Sequence, residues 1–249
     1  MNIVVTGASG LIGSTLVRRT GATGLTHRDL DITDPAAVRA VMHTLRPELV
    51  INCAVIGVDE CESDPALAEA VNVTGPVNLA RHAPAIIHFS TNYVLDPVNV
   101  YAKTKLAGEE AVIAANAQAL VIRTSWVFGR GKESFLSTAA AKLARGERVR
   151  AITDTFASTT WVEDLVTRVM AMRGRTGVHA VVNEGMLSYE DFALEVARLV
   201  GADPSLIDRI TEAGMKRLAP RPRSTPMRSD PPMRPWQEAL REYVRSSPP

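Results

Sequence analysis

The strongest constraint on the fold is a regular alternation of short apolar strands with Ala-rich helical segments. Strands covered on both faces of a parallel sheet have no polar side, and four runs fit this pattern: Asn2–Thr6, Glu48–Ala54, Ala85–Ser90 and Ala119–Thr124. The pattern also predicts helices at Leu11–Arg19, Pro35–Leu45, Ala66–His82 and Val100–Ala115. Because parallel strands joined by helices form right-handed crossovers, the sequence predicts an α/β fold with a doubly wound, Rossmann-type parallel sheet.

The alternation extends to about Gly177–Asn183 and then weakens. After Gly201 the chain becomes rich in Pro and Arg, and one helix is predicted near Pro235–Arg245. A length of 249 residues suits a nucleotide-binding domain with a smaller lobe. We predict that residues 1–183 form mainly the dinucleotide-binding domain and that residues 184–249 form mainly a small C-terminal substrate-binding lobe. Residues 126–146 are a segment that the first domain could lend to the lobe.

Composition excludes several classes of function. The formal net charge of +1 gives no overall basic field, so a nucleic-acid partner is not expected. No apolar run approaches the roughly 20 residues that span a bilayer, and the chain enters a strand without a signal-peptide pattern. The two cysteines, Cys53 and Cys61, have no metal-ligand spacing. We therefore expect a cytoplasmic protein without a metal site.

A glycine-rich turn follows the first predicted strand. It places Gly7, Gly10 and Gly13 at the head of the first helix. Gly7 permits a tight turn, Gly10 lets backbone amides approach a pyrophosphate, and Gly13 lets the helix pack closely on the strand. Three glycines alone also fit an ordinary turn, but their place in a long alternating chain favours dinucleotide binding.

The form of the nicotinamide cofactor depends on the end of the second predicted strand, within residues 24–34. Arg28 is placed to meet a 2′-phosphate, whereas Asp29 could instead meet a ribose hydroxyl. Both could equally belong to a solvated turn. The sequence favours NADPH, with NADH as the alternative.

A second polar cluster follows the predicted strand that ends at Ser90. Thr91 lies at this strand end, and Tyr101 and Lys105 share one face of the next helix because they are four residues apart. Reduction of a ketone requires a proton for the developing alkoxide, and a phenol near an ammonium can supply it. A hydroxyl can polarise the carbonyl oxygen as charge develops. An isolated Tyr–Lys spacing is more often a surface pair, but downstream of the glycine turn it indicates a reductase site.

Seven stretches resemble the extended short-chain dehydrogenase/reductases and, within them, the dTDP-4-dehydrorhamnose reductase family. In chain order they are VTGASGLIG, LDITDP, VDECESDPALAEAVNVTGPVNLA, STNYV, NVYAKTKLAGE, RTSWVFG and RPRSTPMRSD. The resemblance implies reduction of the 4-keto group of a nucleotide-linked, dTDP-type 4-keto-6-deoxy sugar by a monomer or homodimer. It implies that Thr91 polarises the keto oxygen, that Tyr101 donates the proton, and that Lys105 binds the nicotinamide ribose and lowers the pKa of Tyr101.

The same resemblance implies the remaining ligand contacts. Asp31 and Ile32 match the pair that brackets the adenine ring. Further cofactor contacts are implied at Ser9, Leu11, Ile12, Cys53 and Ala54. Substrate contacts are implied at Asn92, Trp126 and Arg221.

The chain departs from the family pattern on the substrate side. Asn92 stands where the family usually has Asp, Leu95 replaces Phe, and only nine residues separate Thr91 from Tyr101. The shorter segment is expected to open or reshape the sugar pocket. Two other functions stay open at this point: a reductase of a different carbonyl substrate, and a non-catalytic NADP-binding subunit similar to the regulatory β subunit of methionine adenosyltransferase. The retained Tyr101 and Lys105 favour an enzyme.

Overall fold

The computed structural model describes residues 1–131 and 133–246. Lys132, inside the segment 126–146, and residues 247–249, at the end of the expected lobe, lie outside the described residues. The strands are β1 (Ile3–Thr6), β2 (Thr23–Leu25), β3 (Leu49–Asn52), β4 (Ile86–Thr91), β5 (Ala119–Thr124), β6 (Val127–Phe128), β7 (Val149–Ile152), β8 (Phe156–Ala157), β9 (Thr160–Trp161), β10 (Gly177–Ala180), β11 (Ile207–Ile210) and β12 (Ser224–Thr225). The helices are α1 (Leu11–Thr20), α2 (Pro35–Leu45), α3 (Val58–Ser63), α4 (Pro65–Glu69), α5 (Gly75–His82), α6 (Val100–Ala115), α7 (Phe135–Ala144), α8 (Val162–Ala171), α9 (Tyr189–Val200) and α10 (Trp236–Ser246).

Six parallel strands form the central sheet in the order β2-β1-β3-β4-β5-β10. Helices cover both faces: α1 and α8 pack together on one side, and α2, α5 and α6 pack on the other. The strands supply both cores because successive side chains point to opposite faces. Val5 and Ile51 belong to one buried cluster, whereas Val4 and Val50 belong to the other. The predicted doubly wound, Rossmann-type fold is confirmed.

The C-terminal part of the chain pairs with short strands from its middle. β7 pairs with β11, and β8 pairs with β12, all in parallel. α7 packs against α9, so the segment 126–146 does contact the C-terminal residues. The part of the middle of the chain that contacts the C-terminal residues extends beyond residue 146, because β7 and β8 lie at residues 149–157.

The predicted helix Ala66–His82 is divided. Asp64 caps α4 by accepting a hydrogen bond from Leu67 N at 2.9 Å, and a π-helical turn at Ala70–Thr74 separates α4 from α5. This turn brings the Asn72 carbonyl close to α6, where a Cβ built on Gly108 would lie only 2.1 Å from that oxygen. The segment predicted as one regular helix thus contains a π-bulge, which allows its backbone to pack closely against α6.

Candidate active site

Two adjoining cavities lie at the carboxyl ends of the parallel strands. β1 has β2 on one side and β3 on the other, so the order in which strands are added to the sheet reverses at β1. Doubly wound sheets bind ligands at such a switch point. The glycine-loop cavity has a volume of about 380 Å³, and the tyrosine cavity has a volume of about 260 Å³. Both are lined by Cys53, Ala54 and Val55, so the two cavities share a wall.

The three glycines of the loop are constrained differently. Gly7 has a φ of 67°, and a Cβ there would lie 2.6 Å from Ala54 N. At Gly13 a Cβ would lie 2.3 Å from the Gly7 carbonyl oxygen. At Gly10 the only contact is 3.3 Å to that same oxygen, and Gly10 lines the glycine-loop cavity. Packing therefore requires Gly7 and Gly13, whereas Gly10 leaves space on the cavity side at the start of α1.

This difference gives a prediction for Gly10→Val. Its φ of −77° and ψ of 167° suit a β-branched residue, so the variant is expected to fold. The side chain would occupy the cavity and weaken NADPH binding by at least about tenfold, or about 1.4 kcal/mol. Calorimetric titration and thermal unfolding measure the two effects. Gly13→Ala is the contrasting variant, because its methyl group has no room and should lower the melting temperature.

The remaining residues of the expected cofactor site occupy different positions. Ser9, Asp31, Ile32, Cys53 and Ala54 line the glycine-loop cavity together with Gly7 and Gly10. Ile12 lines the tyrosine cavity instead, and Leu11 is buried in the core.

The expected 2′-phosphate region lies just beyond β2. Thr26 and His27 line the glycine-loop cavity, while Arg28 is exposed outside its lining. Asp29 accepts hydrogen bonds from the Thr26 amide at 2.8 Å and its hydroxyl at 2.7 Å, which lower the pKa of its carboxyl. The Asp29 carboxylate is therefore engaged in its own turn. Thr26 and His27 line the cavity and were not predicted from the sequence.

The tyrosine cavity brings the three expected catalytic side chains together with Asn92 and Trp126. Thr91 ends β4, and Tyr101 and Lys105 lie in the first turns of α6. Asn99 caps this helix by accepting a hydrogen bond from Ala102 N at 2.8 Å. The cap fixes the residue at which α6 begins, and thereby the position of Tyr101 in its first turn.

Burial determines the protonation of Tyr101. Removal from water raises the pKa of its phenol to about 12, while the Thr91 side chain acts in the opposite direction. The ring also packs edge-on against Tyr93, with the centroids 5.9 Å apart. Burial has the largest effect on this pKa, and the lowering that the family resemblance implies for Lys105 stays a prediction. Tyr101 therefore holds its proton at neutral pH, as a proton donor must.

Lys105 is 2% exposed and makes its contacts on the β4 side. Its Nζ donates to the Phe89 carbonyl oxygen at 2.7 Å and lies 3.2 Å from His88 Nε2. Burial lowers the pKa of Lys105 to about 8, although the Glu109 carboxylate raises it. His88 could not be predicted at this site, because the histidines of the sequence show no ligand spacing.

A buried ion pair lies one helical turn beyond Lys105. Glu109, 2% exposed, accepts from Arg123 Nη2 at 2.6 Å and from the Ser90 hydroxyl. The ion pair ties α6 to β5, and the hydrogen bond from Ser90 ties α6 to β4. No sequence spacing signals this pair, because Glu109 lies on α6 and Arg123 lies on β5.

The expected substrate residues are only partly gathered in the tyrosine cavity. Asn92 Nδ2 donates to Thr225 Oγ1 at 2.6 Å, which fastens β12 to the end of β4. Trp126, with a φ of 36°, stacks on Tyr189 with the ring centroids 4.1 Å apart. Arg221 lies outside the lining of the tyrosine cavity and pairs with Asp59, Nη2 to Oδ2, at 2.9 Å.

Two further features are absent from the described part of the chain. Among residues 1–131 and 133–246, no group of His, Cys, Asp and Glu is arranged to hold a metal ion. None of the helices described is both long enough and apolar enough to cross a bilayer.

Known proteins match nearly the whole chain. The family described as RmlD substrate binding domain matches residues 1–247. A probable dTDP-4,6-dihydroxy-2-methyloxan-3-one 4-ketoreductase of Streptomyces antibioticus is 36% identical over 97% of this chain and 94% of its own length. A dTDP-4-dehydrorhamnose reductase of Mycolicibacterium smegmatis is 36% identical over 97% of this chain and 84% of its own.

A solved structure extends this similarity to the fold. The dTDP-4-dehydrorhamnose reductase of Bacillus anthracis in complex with NADP has a TM-score of 0.91, at 25% identity, over 99% of this chain and 100% of that one. The sequence matches, the fold and the Thr–Tyr–Lys cavity agree with one another. The chain belongs to the dTDP-4-dehydrorhamnose reductase family of extended short-chain dehydrogenase/reductases.

Proposed function

We propose that this protein is an NADPH-dependent reductase of the 4-keto group of a dTDP-linked 4-keto-6-deoxy sugar. The proposal rests on one observation: Thr91, Tyr101 and Lys105 line a cavity that shares a wall with the glycine-loop cavity. The relatives named above are dTDP-sugar ketoreductases, which places the chain among the oxidoreductases.

The residues of the glycine-loop cavity fit a dinucleotide. The turn at Gly7 and the open side of Gly10 leave space for a pyrophosphate at the start of α1. Asp31 and Ile32 line the part of the cavity assigned to adenine. When bound, NADPH supplies the hydride. Lys105, which lines the adjoining tyrosine cavity, would hold the nicotinamide ribose.

The side chains of the tyrosine cavity have complementary tasks. The Thr91 hydroxyl, at the end of β4, would donate to the keto oxygen as negative charge develops there. The Tyr101 phenol would give its proton to that oxygen, which converts the ketone to an alcohol. Because Tyr101 keeps its proton well above neutral pH, the donor is in the required form before substrate arrives.

Cofactor preference gives a separate prediction at Arg28. Its side chain is exposed beside Thr26 and His27, which line the cavity, so it can reach a 2′-phosphate. We expect Arg28→Ala to weaken NADPH about tenfold and to leave NADH unchanged, since a charge-assisted hydrogen bond contributes roughly 1.5 kcal/mol or more. Titration of the variant with both cofactors measures this. Equal losses for NADPH and NADH would remove Arg28 from the site.

The function is tested by supplying the purified protein with NADPH and a panel of dTDP-4-keto-6-deoxy sugars. We expect NADPH absorbance to fall with at least one sugar and a dTDP-linked alcohol to accumulate. A non-catalytic regulatory subunit would bind NADPH without consuming it. Turnover only with carbonyl compounds that carry no nucleotide would assign a different substrate class.

A further inference from the structure

A chain of buried polar side chains runs from the end of β3 to Lys105. Asn52 Nδ2 lies 3.1 Å from His88 Nδ1, and His88 Nε2 lies 3.2 Å from Lys105 Nζ. Asn52 and His88 are fully buried, and Lys105 is 2% exposed. Because water does not reach these atoms, each hydrogen must face an acceptor within the chain of side chains.

The orientation of the Asn52 amide is fixed from its other end. Its Oδ1 accepts from the Ala54 backbone N–H at 3.1 Å and from the Thr6 hydroxyl at 2.7 Å. A backbone N–H can only donate, so Oδ1 must face Ala54 and the NH₂ group must face His88. The amide therefore donates to Nδ1 of His88, which must carry a lone pair.

This orientation determines the tautomer of His88. Burial holds its pKa well below the ordinary value, so the ring is neutral. A neutral imidazole with a lone pair on Nδ1 carries its hydrogen on Nε2, and this N–H faces Lys105 Nζ. An ammonium at Nζ would present a second donor there. A neutral amine instead accepts from Nε2–H and still donates to the Phe89 carbonyl oxygen.

We propose that His88 is a positioning residue whose Nε2–H disfavours the ammonium form of Lys105 while Nζ lies against β4. The catalytic significance of this state rests on the proposed function, because Lys105 serves the cofactor ribose only after Nζ leaves His88 and Phe89. Away from the Nε2–H donor, Nζ holds its proton more tightly. His88 and Asn52 thus couple the charge of Lys105 to its position.

The other titratable groups around Lys105 are compatible with this assignment. The Glu109 carboxylate on α6 is engaged by Arg123 on β5 and by Ser90. Burial raises the pKa values of Cys53, Cys61 and Tyr101, so these groups are neutral and uncharged beside Nζ. The Glu109 carboxylate favours the ammonium form and raises the pKa of Lys105, but burial lowers that pKa by more.

The direct test is nuclear magnetic resonance of the full chain with ¹⁵N-labelled histidine rings, without cofactor or substrate. Two-bond proton–nitrogen correlations distinguish the two neutral tautomers and the imidazolium, and the signal lost in His88→Gln assigns the residue. We expect the neutral Nε2–H tautomer at pH 7. The Nδ1–H tautomer or an imidazolium would overturn the proposal. Neither result depends on whether the protein is a reductase.

A matched pair of variants tests the link to Lys105. In Asn52→Asp a carboxylate oxygen replaces the NH₂ group and accepts a hydrogen bond from Nδ1–H of His88. His88 Nε2 then carries a lone pair, which can accept a hydrogen bond from the Lys105 ammonium. In His88→Gln a rotating amide can offer its oxygen without adding a charge. With ε-¹³C-labelled lysine, we expect both variants to raise the Lys105 titration midpoint by at least about one pH unit, a tenfold change in the protonation constant. An unchanged midpoint in both folded variants would contradict the proposed role of His88.

Discussion

Tyr101→Phe is expected to lower turnover by about a hundred- to ten-thousand-fold, the usual contribution of a positioned acid. The change removes one oxygen from the tyrosine cavity and keeps the ring that packs against Tyr93 at 5.9 Å. NADPH affinity should be preserved, because the glycine loop and the adenine region lie in the adjoining cavity. Steady-state rates with the best sugar of the panel, together with calorimetric titration of NADPH, measure both quantities.

Tyr243→Phe is the matched control for this experiment. Its hydroxyl donates to the Ser137 carbonyl oxygen at 2.8 Å, away from both cavities. The control should lose a hydrogen bond worth about 1 kcal/mol of stability and keep its turnover. If Tyr101→Phe were as active as the control on a confirmed substrate, another group would have to supply the proton.

The sheet and the position of the site could be predicted because both depend on local pattern. Apolar strands of four to six residues recur with helices between them, and the glycine turn follows the first. Tyr101 and Lys105 share a helix face through their spacing alone. The predicted bounds of α2 and α6 agree with the structure, since Asp34 and Asn99 both cap the helices that follow.

The interleaved strands of the lobe could not be predicted in the same way. β8 and β12 have two residues each, and β7 pairs with β11 across 58 positions, from Val149 to Ile207. Such short pairings depend on tertiary contacts, and no hydrophobic periodicity in the sequence predicts them. The α9 helix was also missed, although Ser188 and Asp191 form a capping box at its start.

The environment of each candidate side chain was the least predictable feature. The family resemblance implied a substrate contact for Arg221, which stays a prediction; in the structure its guanidinium pairs with Asp59, 162 positions away. The sequence placed Lys105 beside the phenol, but Nζ is turned toward Phe89 and His88. Spacing along a helix indicates which side chains share a face, whereas their partners depend on neighbouring strands.

The expected cellular location, oligomeric state and domain boundaries of the protein stay predictions.

Lys105→Met is expected to abolish measurable turnover and to weaken NADPH binding, because one ammonium would serve the ribose and the phenol. Methionine keeps most of the buried volume without a charge. The exposed Lys103 on the same helix provides the control. Lys103→Met should keep both turnover and cofactor affinity, so a general effect of removing a lysine from α6 would be recognised.

The same variant is expected to change how stability depends on pH. The pKa of Lys105 is about 8 in the folded protein against an ordinary value of 10.5, so the unfolded chain holds this proton more tightly. Below pH 8 both states are protonated, and the folded state carries the full penalty of a buried ammonium. As pH rises from about 8 to 10.5 the folded state is already neutral, and wild-type stability increases. The difference of about 2.5 between the two pKa values corresponds to about 3 kcal/mol.

Lys105→Met has no such proton to lose. Urea unfolding of both proteins at pH 7 and pH 10 should therefore show wild type gaining about 2 to 3 kcal/mol relative to the variant. Lys103→Met should follow wild type at both values, because its side chain is exposed in the folded and unfolded states alike. A constant difference between wild type and Lys105→Met would mean that Lys105 titrates as an ordinary surface amine. The lowered pKa of the buried Lys105 beside His88 would then be wrong, whatever the activity of the variant.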